Sequence, residues 1–202
     1  MADELAVAME AAKAAGEVAM RYFRRGVPVE TKADGSFVTQ ADRSCERTIR
    51  QVIQQRFPDD AFLGEEYGET ATGARRRWII DPIDGTNNYV RGIPFFATLI
   101  ALEEGDDIAV GVAFAPATGD LLTARRGGGA YMNGQPAKVS RVAHLAEASV
   151  GFGELKLFEH RGWWDRFPEL VRRAWRTRGF GDYLGHAQVI QGQAEIMLDT
   201  GA

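Results

Sequence analysis

The segment Trp78-Ile79-Ile80-Asp81-Pro82-Ile83-Asp84-Gly85-Thr86-Asn87-Asn88-Tyr89 sets an apolar, β-branched run directly against two carboxylates and a Gly-Thr turn. So short an apolar run, entered from the polar Arg75-Arg76-Arg77, predicts a buried strand over 78–80 with Asp81 at its C-terminal end. Pro82 biases Asp81 toward an extended conformation and removes one backbone donor. The local carbonyls, that of Ile83 included, are left free to face a cation. Gly85 permits close backbone approach or an unusual dihedral, and Thr86-Asn87 can open a short helix whose free N–H groups face an anion. Acids beside N–H donors predict a metal site that holds a phosphate.

A second acidic pair, in Gly64-Glu65-Glu66, follows the apolar Ala61-Phe62-Leu63, so it too is expected at a strand end. If Glu65, Asp81 and Asp84 share a pocket, mutual repulsion raises their pKa values unless cations neutralise them. Oxygen donors without nearby His or Cys favour Mg²⁺ or Mn²⁺ over Zn²⁺. Any one of these acids alone reads as a solvated turn residue, because Asp-Pro and Asp-Gly are common turn dipeptides. Their combination carries the functional reading.

At 202 residues with 45% hydrophobic content, the chain can bury a sizeable core, as one domain or as a domain with two subregions. A formal charge of -4 gives no general basic surface, so no nucleic-acid partner is expected. The local cluster of Arg172, Arg173, Arg176 and Arg178 reads as a solvated face. The single cysteine, Cys45, excludes an internal disulfide framework and reads as a small packed residue in a reducing cytoplasm. No apolar run approaches transmembrane length, and no charged-then-apolar secretion pattern opens the chain.

Leu5, Met9, Ala12, Gly16, Ala19 or Met20, and Phe23 recur at helical spacing and predict an N-terminal helix with one packed stripe. After a polar turn at Lys32-Ala33-Asp34-Gly35, a second helix is expected over about 41–57 through Ile49, Val52 and Ile53. Thr39 with Asp42 three residues on resembles a capping box. Antiparallel strands are expected over 95–102, 108–115 and 121–124, with turns at Glu103-Glu104-Gly105-Asp106 and Pro116-Ala117-Thr118-Gly119. The glycine-rich run from Gly127 lacks the Gly-Lys-Ser/Thr ending of a phosphate loop, and its Asn133-Gly134 reads as a hairpin turn. Residues 158–175 are expected to be helical, with Trp163, Trp164, Phe167 and Trp175 as core or dimer contacts. A strand over 177–180, a turn at Gly181-Asp182, a helix over 183–191 and a strand over 194–198 indicate an α/β second half. His144, His160 and His186 fall outside the motifs and read as structural or exposed.

The strand end at Asp81-Pro82-Ile83-Asp84-Gly85-Thr86 is joined by Val38-Thr39-Gln40-Ala41-Asp42, by Phe62-Leu63-Gly64-Glu65-Glu66, and by Gly179-Phe180-Gly181-Asp182 leading to Ala194-Glu195-Ile196-Met197-Leu198-Asp199. Over nearly its whole length the chain resembles the inositol monophosphatase superfamily of Mg²⁺-dependent, lithium-sensitive phosphomonoesterases. The resemblance implies an α+β / α/β fold, a layered α-β-α-β-α sandwich of the sugar-phosphatase type. Residues 1–140 would carry an antiparallel-rich sheet and the metal motifs, and 141–202 the start of a second, here truncated, α/β sheet. It implies two or three Mg²⁺ ions, or Mn²⁺, held by Glu65, Asp81, the Ile83 carbonyl and Asp84. Thr86, partnered by Asp42, would orient the attacking water. Gly85 and Thr86 would hold phosphate, and Gly181, Asp182 and Asp199 would face the alcohol part of the substrate.

The segments Asn88-Tyr89-Val90-Arg91-Gly92-Ile93-Pro94 and Trp175-Arg176-Thr177-Arg178-Gly179-Phe180-Gly181-Asp182-Tyr183 are similar to the histidinol-phosphatase branch. The expected substrate is therefore a small phosphorylated alcohol, histidinol phosphate, with inositol 1-phosphate or a related sugar phosphate as the alternative. A noncatalytic binding or regulatory member of the same fold is the alternative from another class; the intact acids argue against it, since such a cluster of charges is costly to keep. A cytoplasmic homodimer without membrane attachment is implied. The family pattern continues past 194–198 into a Trp-Asp element whose aspartate completes the second metal site. That element would lie beyond Ala202, and Asp199-Thr200-Gly201-Ala202 reads as mid-fold.

Overall fold

The computed structural model describes residues 3–26, 28–32, 37–71 and 73–199, so the expected turn at 33–35 and the end of the chain after Asp199 lie outside the described residues. The chain divides into two compact units, Met1–Gln135 and Pro136–Ala202. The first contains α1 (Glu4–Tyr22), β1 (Val29–Thr31), β2 (Phe37–Thr39), α2 (Gln40–Gln54), β3 (Ala61–Gly64), β4 (Gly68–Glu69), β5 (Arg76–Asp84), α3 (Thr86–Val90), β6 (Ala97–Glu104), β7 (Asp107–Ala115), β8 (Asp120–Arg125) and β9 (Gly129–Met132). β10 (Gln135–Ala137) follows at the boundary.

Helix α1 starts where the Asp3 side chain accepts the Leu5 N–H at 3.0 Å. Its buried face is Val7, Ala8, Ala11, Ala12, Ala15, Gly16 and Ala19, while Met20, one of two candidates for the stripe, is exposed. Small residues let the helix press close to its neighbours: a Cβ on Gly16 would stand 2.6 Å from the Phe114 ring. Helix α2 ends at Gln54, short of the expected 57, and buries Ala41, Asp42, Cys45, Glu46, Ile49 and Ile53.

Both helices pack on an eight-stranded sheet of order β10-β9-β8-β7-β6-β5-β3-β4. Neighbouring strands run antiparallel from β9 to β5, as the turn residues predict, but β3 and β5 are parallel. Asn133 and Gly134 both have positive φ, +50° and +78°, the conformation that a two-residue hairpin requires. The shared core includes Ile49, Ile53, Trp78, Ile80, Ile83, Tyr89, Phe96, Ile100 and Leu102. Trp78 is buried at the centre of that core, and its indole N–H donates to Asp60 at 2.8 Å.

The second unit holds β11 (Ser149–Phe152), α4 (Leu155–His160), α5 (Phe167–Arg173), β12 (Arg176–Arg178), α6 (Asp182–Ile190) and β13 (Ile196–Leu198). Its three strands are parallel in the order β12-β11-β13, the α/β pattern read from the sequence. The helical stretch expected over 158–175 is instead two helices. Gly162, at φ +69°, turns the chain after α4, and Pro168 opens α5. Trp163 and Trp164 lie in the turn between them and Trp175 lies beyond α5; at 44%, 47% and 64% exposure, none is core. Phe158 is the buried aromatic, packed edge-on against Phe167 with ring centroids 5.1 Å apart. No helix among the described residues is long and apolar enough to cross a membrane.

Candidate metal centre and active site

Strand β5 does not stop at Ile80, as the sequence predicts, but runs through both aspartates. On β6, Asp81 faces Leu99 and Asp84 faces Ala97, so three steps along β5 match two along β6. Residues three apart on a flat strand point to opposite sides; the extra residue restores the phase and lets both carboxylates share one side. The displaced peptides are tied down individually. The buried Thr98 hydroxyl donates to the Pro82 carbonyl at 2.9 Å, and the Ile83 N–H donates to Asp81 Oδ1 at 3.1 Å. Gly85 then takes φ +85°, and α3 begins at Thr86. The far end of α3 is anchored by the Tyr89 hydroxyl, which donates to the Ala19 carbonyl at 2.7 Å.

Parallel pairing of β3 with β5 delivers their C-terminal ends to the same edge, and the Glu65 N–H donates to the Ile80 carbonyl at 3.1 Å. Glu65, Asp81 and Asp84 are thereby brought together. The Asp81 carboxyl is pushed well above the usual carboxylate range, first by burial, then by the charges of Asp84 and Glu65 and a hydrogen bond shared with Glu65; the Ile83 N–H acts in the opposite sense. Facing this cluster is a residue that the sequence does not single out. The Lys32 ammonium lies 2.7 Å from Glu65 Oε1 and 2.6 Å from Glu66 Oε1. Burial opposes its charge, yet the two hydrogen bonds hold its pKa up to about 12. Burial also pushes the Glu66 carboxyl up, against the pull of Lys32.

Asp42 occupies the first turn of α2, where Oδ2 accepts both the Thr39 N–H at 2.8 Å and the Thr39 hydroxyl at 2.6 Å. Thr39 Oγ1 in turn accepts the Ala41 N–H at 3.0 Å, which completes the expected capping box. Burial pushes the Asp42 carboxyl up, and the bonds from Thr39 oppose it. The expected partnership of Asp42 with Thr86 is not formed: the Thr86 hydroxyl donates to the Ile83 carbonyl at 3.0 Å, while Asp42 is satisfied within its own turn. The Ile83 oxygen keeps a second lone pair for another partner.

Among the described residues, no three His, Cys, Asp or Glu side chains form a ready-made cage for a metal ion. The donor set still fits a hard divalent cation. Asp81 and Glu65 share a hydrogen bond and Lys32 pairs with Glu65, so a cation that replaced the proton and the ammonium would meet carboxylate and carbonyl oxygens alone. Cys45 stands apart from this chemistry: its thiol touches the Ala15 carbonyl at 3.3 Å, and burial pushes its pKa up to about 12.

Gly181, Asp182 and Asp199 belong to the second unit. Gly181 precedes α6, and Asp182 adopts φ +53°, a left-handed conformation that Asp tolerates better than most residues. Burial and the charge of Asp199 push the Asp182 carboxyl up. Asp199 Oδ2 also lies 3.7 Å from His186 Nε2. Asp182 and Asp199 are therefore neighbours within that unit.

The frame is that of a mixed α/β protein with carboxylates gathered at adjacent strand ends beside a glycine-led helix start. The model of the Inositol monophosphatase family matches residues 1–202, and the chain belongs to that family. It is similar to the histidinol-phosphatase of Chlorobaculum parvum, at 42% identity over 200 residues, covering 98% of this chain and 77% of that protein. The histidinol-phosphatase of Mycobacterium tuberculosis is 40% identical over 203 residues, with 98% and 78% covered. The inositol-1-monophosphatase of Rhizobium meliloti is 41% identical over 152 residues, with 74% and 57% covered. Among solved structures, the IMPase of Thermotoga maritima aligns with a TM-score of 0.88 at 32% identity, covering 98% of this chain and 76% of that one.

Proposed function

We propose that this chain is a Mg²⁺-dependent phosphoric monoester hydrolase acting on histidinol phosphate, and that it works as a cytoplasmic homodimer. The observation that carries the reaction class is the gathering of Glu65, Asp81 and Asp84, where burial and like charge push Asp81 up and favour a cation as counter-charge. Support for the substrate comes from the likeness to histidinol-phosphatases across 98% of the chain, against 74% for the inositol-1-monophosphatase.

In this reading Glu65, Asp81, Asp84 and the Ile83 carbonyl hold two or three Mg²⁺ ions, or Mn²⁺. When bound, the metal supplies positive charge to the phosphoryl oxygens and lowers the pKa of water at the site. The N–H groups of Gly85 and Thr86 receive phosphate oxygens, and their preset orientation stabilises charge that develops during attack. Thr86 and Asp42 orient the water, which requires the Thr86 hydroxyl to leave the Ile83 carbonyl. Water attacks phosphorus in line with the ester oxygen; the P–O ester bond breaks, and the alcohol leaves with a proton. Asp182 and Asp199, with Gly181, are assigned to the alcohol moiety, where carboxylates suit an ammonium group.

The test is a side-by-side measurement of kcat/KM for histidinol phosphate and inositol 1-phosphate with Mg²⁺ present. Histidinol phosphate is expected to lead by about tenfold or more, as contacts to a charged group should discriminate. A lead for inositol 1-phosphate overturns the substrate. Failure to release phosphate from any phosphomonoester overturns the enzyme reading in favour of a noncatalytic member of the fold.

A further inference from the structure

Glu46 is wholly buried in α2, where an apolar side chain would pack at lower cost than a carboxylate. Its charge is paired: Arg50 Nε donates to Oε1 at 2.8 Å, and the same guanidinium reaches the Gly68 carbonyl at 2.8 Å. The other oxygen points at the acid cluster's own backbone. Glu46 Oε2 accepts the N–H of Glu66 at 2.7 Å. Gly64 makes room for this contact, since a Cβ built there would fall inside the Glu46 carboxylate.

Glu65 is consequently bracketed. Its own N–H is bonded to the Ile80 carbonyl of β5 at 3.1 Å, and the next N–H along the chain is bonded to Glu46. One peptide is tied to the strand that carries Asp81, the following one to α2, so the Glu65 side chain leaves a backbone fixed on both sides. We infer that Glu46 is a positioning residue for the metal centre: through the Glu66 N–H and the space vacated at Gly64, it sets the direction in which Glu65 presents its carboxylate. The inference rests on the reading of Glu65 as a metal ligand.

Three variants test it, read by calorimetric titration of metal-free protein with Mg²⁺ and by thermal unfolding in a chelator. Glu46→Gln keeps the size of the side chain but must turn an amide donor toward either Arg50 or the Glu66 N–H. It should weaken Mg²⁺ binding by roughly tenfold to a hundredfold, as changes to groups that orient metal ligands do. Arg50→Gln breaks the same buried ion pair yet leaves the Glu66 N–H bond, and should bind Mg²⁺ at close to wild-type strength despite a lower melting temperature. Gly64→Ala displaces the Glu46 carboxylate with no change of charge and should weaken Mg²⁺ binding even if Glu46→Gln does not fold. Wild-type affinity in both Glu46→Gln and Gly64→Ala overturns the inference while the metal reading stands. An equal loss in Arg50→Gln assigns the effect to stability and also overturns it. Absence of Mg²⁺ binding by the wild-type protein removes both readings together.

Discussion

Replacing Asp42 by Asn and by Ala separates its part in the fold from its part in the chemistry. Both hydrogen bonds to Asp42 end on the same oxygen, Oδ2, from the buried Thr39 N–H and the Thr39 hydroxyl. An Asn that places its amide oxygen there keeps both bonds and removes a charge that burial disfavours. Asp42→Asn should therefore unfold within about 1 kcal/mol of wild type. Ala leaves two buried donors without an acceptor, each costing about 1–3 kcal/mol, partly offset by removal of the buried charge. A net loss of about 3 kcal/mol lowers the melting temperature of a chain this size by roughly 6–12 °C. Thermal unfolding of metal-free protein reads this difference, and phosphate release reads the chemistry. If Asp42 orients water, Asp42→Asn should lose roughly 10²- to 10⁴-fold in kcat although it folds normally. Equal destabilisation of the two variants would refute the single-oxygen account of the cap, and undiminished kcat in Asp42→Asn would remove Asp42 from the catalytic machinery.

Asp81→Asn should abolish phosphate release and yet raise the melting temperature of metal-free protein at neutral pH. The Asp81 pKa is raised on folding, so the folded state binds more protons than the unfolded one between the two values; wild-type stability is lost as pH rises through that window, and the variant should lack this slope. Mg²⁺ at a hundred times its Kd should add about 2.7 kcal/mol to the wild-type protein and nothing comparable to the variant. An unchanged pH slope in Asp81→Asn counts against the electrostatic account. Tyr89→Phe removes a buried donor, but the Ala19 carbonyl retains the Phe23 N–H at 3.0 Å. Its cost should stay near about 1 kcal/mol, a fall of roughly 2–4 °C on melting. A drop several times larger would show that the two donors do not share that carbonyl.

What could be read from the sequence follows from where burial leaves a local trace. The strand end at Leu63-Gly64 was legible because an apolar run breaks abruptly into acids; the similar break at Ile80-Asp81 marked the acids but not the strand end, since an extra residue carries β5 on to Asp84. β1 was not: Val29, Glu30 and Thr31 are all exposed, so no alternation marks them. β11, with Ser149 and Gly151 among its four residues, carries too little side chain to signal a strand. The aromatic run after Phe158 suggested one helix because its spacing outweighed a single glycine, Gly162, whose positive φ decides the matter. Within the site, ligand candidates stood out as clusters, whereas their supports did not. Lys32 reaches acids more than thirty positions away, and no local pattern encodes that contact. Glu46 is absent from every motif; the signal that could have found it is its place on the face shared by Asp42, Ile49 and Ile53, all buried.

The mismatch between β5 and β6 gives the site a mechanical character as well as a geometric one. From Asp81 to Asp84 the strand uses three residues to advance two, so one peptide unit more than the ladder needs sits where the carboxylates stand. Residues 76–81 keep step with β6 and cannot slide without losing their partners. The spare unit is held by side chains instead of by the ladder: the Pro82 carbonyl by Thr98, the Ile83 N–H by Asp81 and the Ile83 carbonyl by Thr86, so the offset between Asp81 and Asp84 is locked in place and cannot slip along the sheet.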